Sequence, residues 1–528
     1  MACFIGVDVG SESVRAGVFD QDGHRLAFRV RRIQQFRPQA DHVEQSSADI
    51  WSQCCAAIRE ALQMAAVAPG DLAAIGFDAT CSLVAVGADG QGVSVAADGA
   101  PGHDIIMWMD HRAVAEAAAI NTTGDPALAY VGGGVSVEME LPKVLWLMRH
   151  CPERFQQVWR FFDLADYLVW RATGMDVAST CTLTCKWNYL AHESRFPEAM
   201  LAKVGLGGLL GKVPGRILPL GSPAGHLRQD VAGRLGLTPD VTVATGIIDA
   251  HAGGLALVGA DPDGTLALIG GTSNCHMIVN RAPVMVPGVW GPYLGAMLPG
   301  WWLSEGGQSA AGALLDWTIG QGQAWLELQA EAKDTGSSVH TVLNHWVAAL
   351  EEREPHPTRH LHVLPDHHGN RSPRAEPLAR GMVSGLTLET GRDALARAYL
   401  ATIQALAYGT RHIIQAMNAA GHDIRRIRMC GGGTRNPLLL REHADAIGCD
   451  IHLVEEEDAV TLGAAVLAAA ASGPFGRISE AAARMVRPGG TVTARPGARA
   501  FHDCKYEVFL LMHEHQESHR QRMAEYRP

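Results

Sequence analysis

Four strings in this chain place carboxylates, hydroxyls or clustered glycines where chemistry on an anionic oxygen needs them. Asp8 lies near the end of the apolar run FIGVDV and faces a turn, Gly10-Ser11-Glu12-Ser13, whose backbone N–H groups and serine hydroxyls can hold phosphate oxygens. A carboxylate beside such a turn suits a metal–nucleotide site, although an aspartate in an ordinary tight turn reads the same way. Gly270-Gly271-Thr272-Ser273 repeats the composition, since glycine admits a phosphate close to the backbone and the hydroxyls donate to it. A plain glycine-rich hairpin turn would also fit. Asp249, in GIIDAHAGG, is flanked by small residues that let a substrate approach, and a carboxylate there could accept a hydroxyl proton. Alternatively it caps a helix of small residues that begins at Ala250. Gly431-Gly432-Gly433 follows a strand and precedes a helix, as nucleotide turns do. No G-x-G-x-x-G and no Walker A string occurs, so neither a Rossmann dehydrogenase nor a P-loop kinase fits.

The elements that must hold these strings alternate between strand and helix, which makes the class α/β. FIGVDV, SVRAGVF and HRLAFRVRR alternate as three strands of an antiparallel meander around the turn Asp20–Gly23. Ser46-Ser47-Ala48-Asp49 then offers a helix N-cap, Ile50, Trp51, Cys54, Ile58 and Leu62 recur at helical spacing, and AAIGFDAT reads as a strand before the hairpin LVAVGADG. From about 113 to 219 the pattern turns mostly helical, with helices expected over Pro142–Arg149, Phe155–Asp163 and Asp166–Thr173, as in an inserted subdomain. Strand signals return at VTVATGI and at TLALIGGTSNCHMIV. This second hairpin, over 265–279, echoes the first, over 5–19, and implies a duplicated fold with facing phosphate loops and a boundary near residue 245. A helix near Ser309–Ile319, a polar stretch over 351–380, a long helix over Arg392–Asn418, the strand–turn–helix around the glycine triplet, the strand DIHLV and a charged helix from about Phe501 complete the chain.

The 528 residues suit two to four domains at roughly 150 residues each. With 47% hydrophobic and 19% charged residues, there is enough apolar material for sizeable cores. The net charge of −11 is the wrong sign for collecting nucleic acid or anionic lipid. The greasiest run, Leu462–Ser472, is too short to cross a bilayer and reads as a buried helix. The N-terminus has no basic n-region ahead of its apolar stretch, so a cytoplasmic protein is expected. Eleven scattered cysteines without a C-x-x-C pair read as reduced thiols. Cys181 and Cys185 come closest to ligand spacing but lack a second pair. His360, His362, His367 and His368 resemble a metal cluster, yet fall in a loop without matching carboxylate or cysteine ligands, and read as solvated or structural.

VDVGSESVR, GIIDAHAGG, IGGTSN, SEGGQSAAG and CGGGTRNPLLLREHADAIG, in that order and across nearly the whole chain, resemble the FGGY family of carbohydrate kinases. The resemblance implies a duplicated, two-lobed, actin-like ATPase (ribonuclease H-like) fold, with one lobe over 1–245 carrying the helical insertion and another over 246–528. It implies ATP and Mg²⁺ as cofactors, a homodimer, and no nucleic-acid or membrane partner. By the same resemblance Asp8 and Asp249 would stand near the metal, and Asp249 would be the base on the sugar hydroxyl. Ser11, Ser13 and Arg15 match the first phosphate loop, Gly271 and Thr272 the second. Gly312, Gly432, Gly433 and Asn436 match the nucleotide contacts. FDATCS, MWMDHRA, TCKWNY and HHGNRSP are similar to the ribulokinase-type branch, in which Ala79, Asp110, Lys186, Asp249 and Glu305 would surround the sugar. The implied reaction is ATP-dependent phosphorylation of a pentulose, D-ribulose to D-ribulose 5-phosphate. L-ribulose, ribitol, D-xylulose or another polyol remain rival substrates, and an actin-like regulatory ATPase or a non-catalytic sugar-binding regulator the rival classes.

Overall fold

Alternation of apolar residues and the Asp20–Gly23 turn build the opening meander in the computed structural model, which describes residues 2–526. It comprises β1 (Cys3–Val9), β2 (Ser13–Asp20) and β3 (Arg25–Arg32), each antiparallel to the next. Asp20 Oδ1 closes the turn by accepting from the backbone N–H of Asp22 and His24. The Ser46 hydroxyl accepts from Asp49 N and starts α1 (Ser47–Ala65), which buries Ile50, Trp51, Cys54, Ile58 and Leu62. The chain returns in β4 (Leu72–Ala79), parallel to β1, as a crossover helix requires. Two short strands, Thr242–Ala244 and Ile247–Ile248, both pair parallel with β4 where one continuous strand was expected.

Within the expected insertion, β5 (Leu83–Gly87) belongs to a second, five-stranded sheet with β6 (Val158–Asp163). The helix expected over Phe155–Asp163 is therefore corrected. A short helix, Pro152–Gln157, stops there, and the next six residues pair antiparallel with β5, Leu83 opposite Asp163. VWRFFD is rich in residues that favour strands, and an available sheet edge decided the matter. The helix Glu140–His150, then α2 (Leu164–Thr173) and α3 (Thr180–Lys186), follow the helical reading.

The second half opens with α4 (Asp249–Val258), then repeats the first topology with β7 (Thr265–Gly270), β8 (Asn274–Asn280) and β9 (Trp302–Gln308) as antiparallel neighbours. After α5 (Gly312–Gln321) and α6 (Arg392–Ala419), β10 (Arg426–Cys430) lies parallel to β7. Next, α7 (Pro437–Ile447) leads to β11 (Ile451–Val454), parallel to β10. The order β9-β8-β7-β10 thus copies β3-β2-β1-β4. The greasy run folds as α8 (Ala459–Ala471), buried against the first sheet and α4. Glycine makes that approach feasible: a Cβ on Gly6 or Gly76 would lie 1.9 or 2.0 Å from the carbonyl oxygens of Thr461 and Ala464. A final helix, α9 (Arg499–Ala524), packs on α7 and the short strand His362–Leu364. No helix among the described residues is long and apolar enough to cross a membrane.

Candidate active site

Strand register assembles the acidic centre. Asp8, near the end of β1, faces Arg15 across the antiparallel pair and Asp78 across the parallel pair. Ile247 and Ile248 pair with Asp78 and Ala79, so Asp249, the next residue, emerges beside them as the first residue of α4. Ile248 holds the N-cap position, and Asp249 Oδ1 accepts from Ala250 N at 2.7 Å. Arg15 Nη1 donates to Asp8 Oδ2 at 2.6 Å. Asp458, which caps α8 through Thr461, reaches the other side of Arg15 at 4.0 Å.

This crowding shows in the proton affinities. Burial, with Asp458 and Asp249 adding repulsion and Arg15 offsetting part of it, pushes the Asp8 carboxyl up to about 7. Burial and the neighbouring Asp8 and Asp249 drive Asp78 well above the usual carboxylate range, and burial also raises Asp249. Neither Asp78 oxygen receives a hydrogen bond from an N–H or hydroxyl donor. Three carboxylates that repel one another, with Asp78 lacking such a donor altogether, make a set that a divalent cation would satisfy.

Lys186, the last residue of α3, is buried with its Nζ 4.6 Å from the Trp290 ring centroid. Glu305, on β9, accepts from Arg371 Nη2 at 3.0 Å and bonds His251 Nε2 at 3.1 Å. Burial would raise its pKa, but the His251 hydrogen bond and the Lys186 and Arg371 charges outweigh burial and hold Glu305 ionised. Thr184, Asn188 and Tyr293 line one small pocket near Lys186, and Thr184 Oγ1, the Asn188 amide and Tyr293 OH have no partner within the described protein. Unpaired buried polar groups of this kind are what a polyhydroxylated ligand would satisfy.

On the other side, Gly312 N and Ala311 N donate to Gly271 O and Thr272 O, which ties the second loop to the N-terminus of α5. Gly431, at φ +90°, leaves a Cβ position 2.4 Å from Gly270 O, so the glycine triplet abuts the same loop. Thr272 and Gly432 are exposed there. Asn436 is the N-cap of α7, its Oδ1 accepting from Leu438 N and Leu439 N while Nδ2 donates to Tyr399 OH at 2.7 Å. In the first loop, Ser11 Oγ accepts from Trp108 Nε1 at 3.1 Å, and Ser13 begins β2.

Asp110 is the sequence expectation this geometry does not support as a sugar contact. Arg112 engages both its oxygens and Val43 N donates to Oδ2, so the side chain is a buried anchor. The four loop histidines disperse: His360 is exposed in a turn, His362 lies on a strand, His367 packs on Trp317, and His368 faces His111. Sequence reasoning missed Asp78, His251 and Arg371 as members of the site, although each lies inside a string it singled out, FDATCS, GIIDAHAGG and HHGNRSP. Which of these side chains turn inward is a property of register and topology.

Two lobes of one repeated topology, with a buried acidic centre and two hydroxyl-bearing hairpin loops, define an actin-like ATPase fold. The solved xylulose kinase from Rhodospirillum rubrum shares it, with a TM-score of 0.80 at 23% identity over 98% of this chain and 99% of that one. The profiles of the N-terminal and C-terminal domains of the FGGY family of carbohydrate kinases match residues 3–256 and 266–472. This chain belongs to that family and is a carbohydrate kinase. It is 44% identical to a human FGGY carbohydrate kinase domain-containing protein, over 98% of this chain and 97% of that one. A protein named D-ribulokinase from Saccharomyces cerevisiae is 37% identical over 89% of this chain and 72% of its own length.

Proposed function

We propose that this kinase transfers the γ-phosphoryl group of ATP to the terminal hydroxyl of a pentulose, with D-ribulose as substrate and D-ribulose 5-phosphate as product. The observation that carries the reading is the grouping of half-buried Asp249 with buried Lys186 and Glu305, beside the buried Asp8 and Asp78 carboxylates. The relative named D-ribulokinase supports the choice of sugar.

Asp249 accepts the hydroxyl proton as that oxygen bonds to the γ-phosphorus; the bond from the γ-phosphorus to the bridging oxygen breaks, and ADP leaves. A carboxylate raised by burial is a better base than a solvated one, and its anchorage on Ala250 N supplies orientation. Lys186 polarises the keto oxygen, Glu305 accepts from sugar hydroxyls, and Ala79 leaves room beside the base. Ser11, Ser13 and Arg15 hold phosphate oxygens from one lobe, and Gly271 and Thr272 from the other. Gly312, Gly432 and Gly433 let nucleotide approach the backbone, while Asn436 fixes the start of α7 beneath it. Mg²⁺, held with the nucleotide by Asp8 and Asp249, would supply charge neutralisation on the phosphates. A homodimer and a cytoplasmic location go with the reading, the latter in keeping with the free, buried thiols of Cys54, Cys81 and Cys430.

The test is ADP release with Mg-ATP across D-ribulose, L-ribulose, D-xylulose, ribitol, glycerol and no sugar. Strong stimulation by D-ribulose is expected. A different preferred polyol overturns the substrate, and sugar-independent hydrolysis overturns the phosphotransfer mechanism.

A further inference from the structure

Cys181 and Cys185 stand one turn apart on the same face of α3, since residues i and i+4 of a helix lie above one another. Both sulfurs meet a side chain from a distant part of the chain: Cys181 Sγ lies 3.2 Å and Cys185 Sγ 4.0 Å from His251 Nδ1. The three residues are buried, and their ligand atoms all lie within 4.8 Å of one another. In a tetrahedral zinc site, with bonds of about 2.3 Å to sulfur and 2.0–2.1 Å to nitrogen, sulfur and nitrogen stand roughly 3.6 Å apart. The two separations bracket that distance. On the far side of the ring, His251 Nε2 bonds Glu305 at 3.1 Å. A carboxylate behind the imidazole is the arrangement that fixes a ligating histidine's tautomer and raises its basicity.

We infer that Cys181, Cys185 and His251 form a binding site for a zinc-class divalent cation, separate from the nucleotide's magnesium, with the fourth position left to a non-protein ligand. Two thiolates and an imidazole select a softer cation, whereas magnesium takes oxygen ligands, so the two sites do not compete. Sequence spacing supplied only two of the ligands; the topology brings the third. A bound cation ties α3, which ends in Lys186, to α4, which begins at Asp249. That consequence for catalysis rests on the function proposed above. The binding itself does not.

The experiment uses the reduced, full-length protein stripped with a chelator and titrated with Co²⁺, then with Zn²⁺. One equivalent of Co²⁺ per chain should bind and give thiolate-to-cobalt charge-transfer absorption, which one equivalent of Zn²⁺ bleaches and excess Mg²⁺ leaves intact. Cys185→Ser, close to isosteric and checked for folding by circular dichroism, should lose the absorption. Glu305→Gln should weaken Zn²⁺ binding by about 10- to 100-fold. Absence of the band in wild-type protein with its thiols counted as free, or a band that survives in folded Cys181→Ala/Cys185→Ala protein, overturns the site. A Cys181–Cys185 disulfide that forms in air while the reduced protein binds no cobalt overturns it too. A cobalt band in protein that shows no sugar-stimulated ADP release leaves the cation site standing and removes the kinase mechanism instead.

Discussion

Asp249 combines desolvation, which raises its proton affinity, with a short backbone hydrogen bond that fixes its aim. Asp249→Asn keeps the shape and removes the proton acceptor, and it should lower kcat by about 10²- to 10⁴-fold with little change in the KM for ATP. Steady-state ADP release measures this, and wild-type turnover in the variant would remove the base assignment. Asp8 makes a separate prediction about stability. Folding raises its pKa from 3.8 to about 7, so its contribution is present below about pH 4 and lost as pH rises through about 7. In chelator, the Tm of wild type should therefore fall relative to Asp8→Asn between pH 5 and pH 8, and Mg-ATP should restore it. A Tm difference that stays constant over that range contradicts the assigned titration. Asp110 carries the lesson in reverse, because a carboxylate in a sugar-kinase string proved to be held by Arg112 and Val43 N.

At the scale of elements, α8 is the piece on which the site depends most, since it lies between the first sheet and α4 and its cap residue Asp458 faces Arg15. Its close approach needs bare backbone on both sides. Gly76→Ala puts a methyl 2.0 Å from Ala464 O and should destabilise by about 1–3 kcal/mol, with the lobes' contact disturbed. Gly233→Ala, in the helix Gln229–Leu235 with nothing within 4 Å of the added carbon, should be neutral or stabilising by up to about 1 kcal/mol. Denaturant unfolding of the pair separates the two cases, and equal effects would show that steric contact with α8 is not what Gly76 avoids. The elements legible from sequence were those with strong periodicity and caps, such as α1 under Ser46 and α7 under Asn436. VWRFFD escaped because helical and strand readings agree on its apolar positions, and only the free edge of β5 distinguishes them.

For the whole molecule, the two hairpin loops proposed to hold phosphate come from different halves of the chain, β1–β2 from one and β7–β8 from the other. Chemistry between them requires closure, and closure that depended on nucleotide alone would waste ATP on water. We expect D-ribulose and a non-hydrolysable ATP analogue together to reduce the radius of gyration in small-angle scattering, each alone having a smaller effect. ADP release without sugar should be slow. Unchanged scattering with both ligands bound would mean that the lobes are already closed and that sugar acts only as acceptor.

The amino-acid sequence by itself determined the α/β class, the repeated hairpins, the order of the strings that mark a sugar kinase, and the residue types able to hold phosphate and accept a proton. These are local properties, written in periodicity, capping and turn chemistry. Tertiary structure alone decided that Asp78 joins Asp8 through parallel register, that Arg371 reaches Glu305, and that His251 turns its two ring nitrogens toward Glu305 and Cys181. Those contacts join residues up to 70 positions apart, and no string carries them, because pairing register and helix packing are set by the burial of whole faces rather than by any one segment.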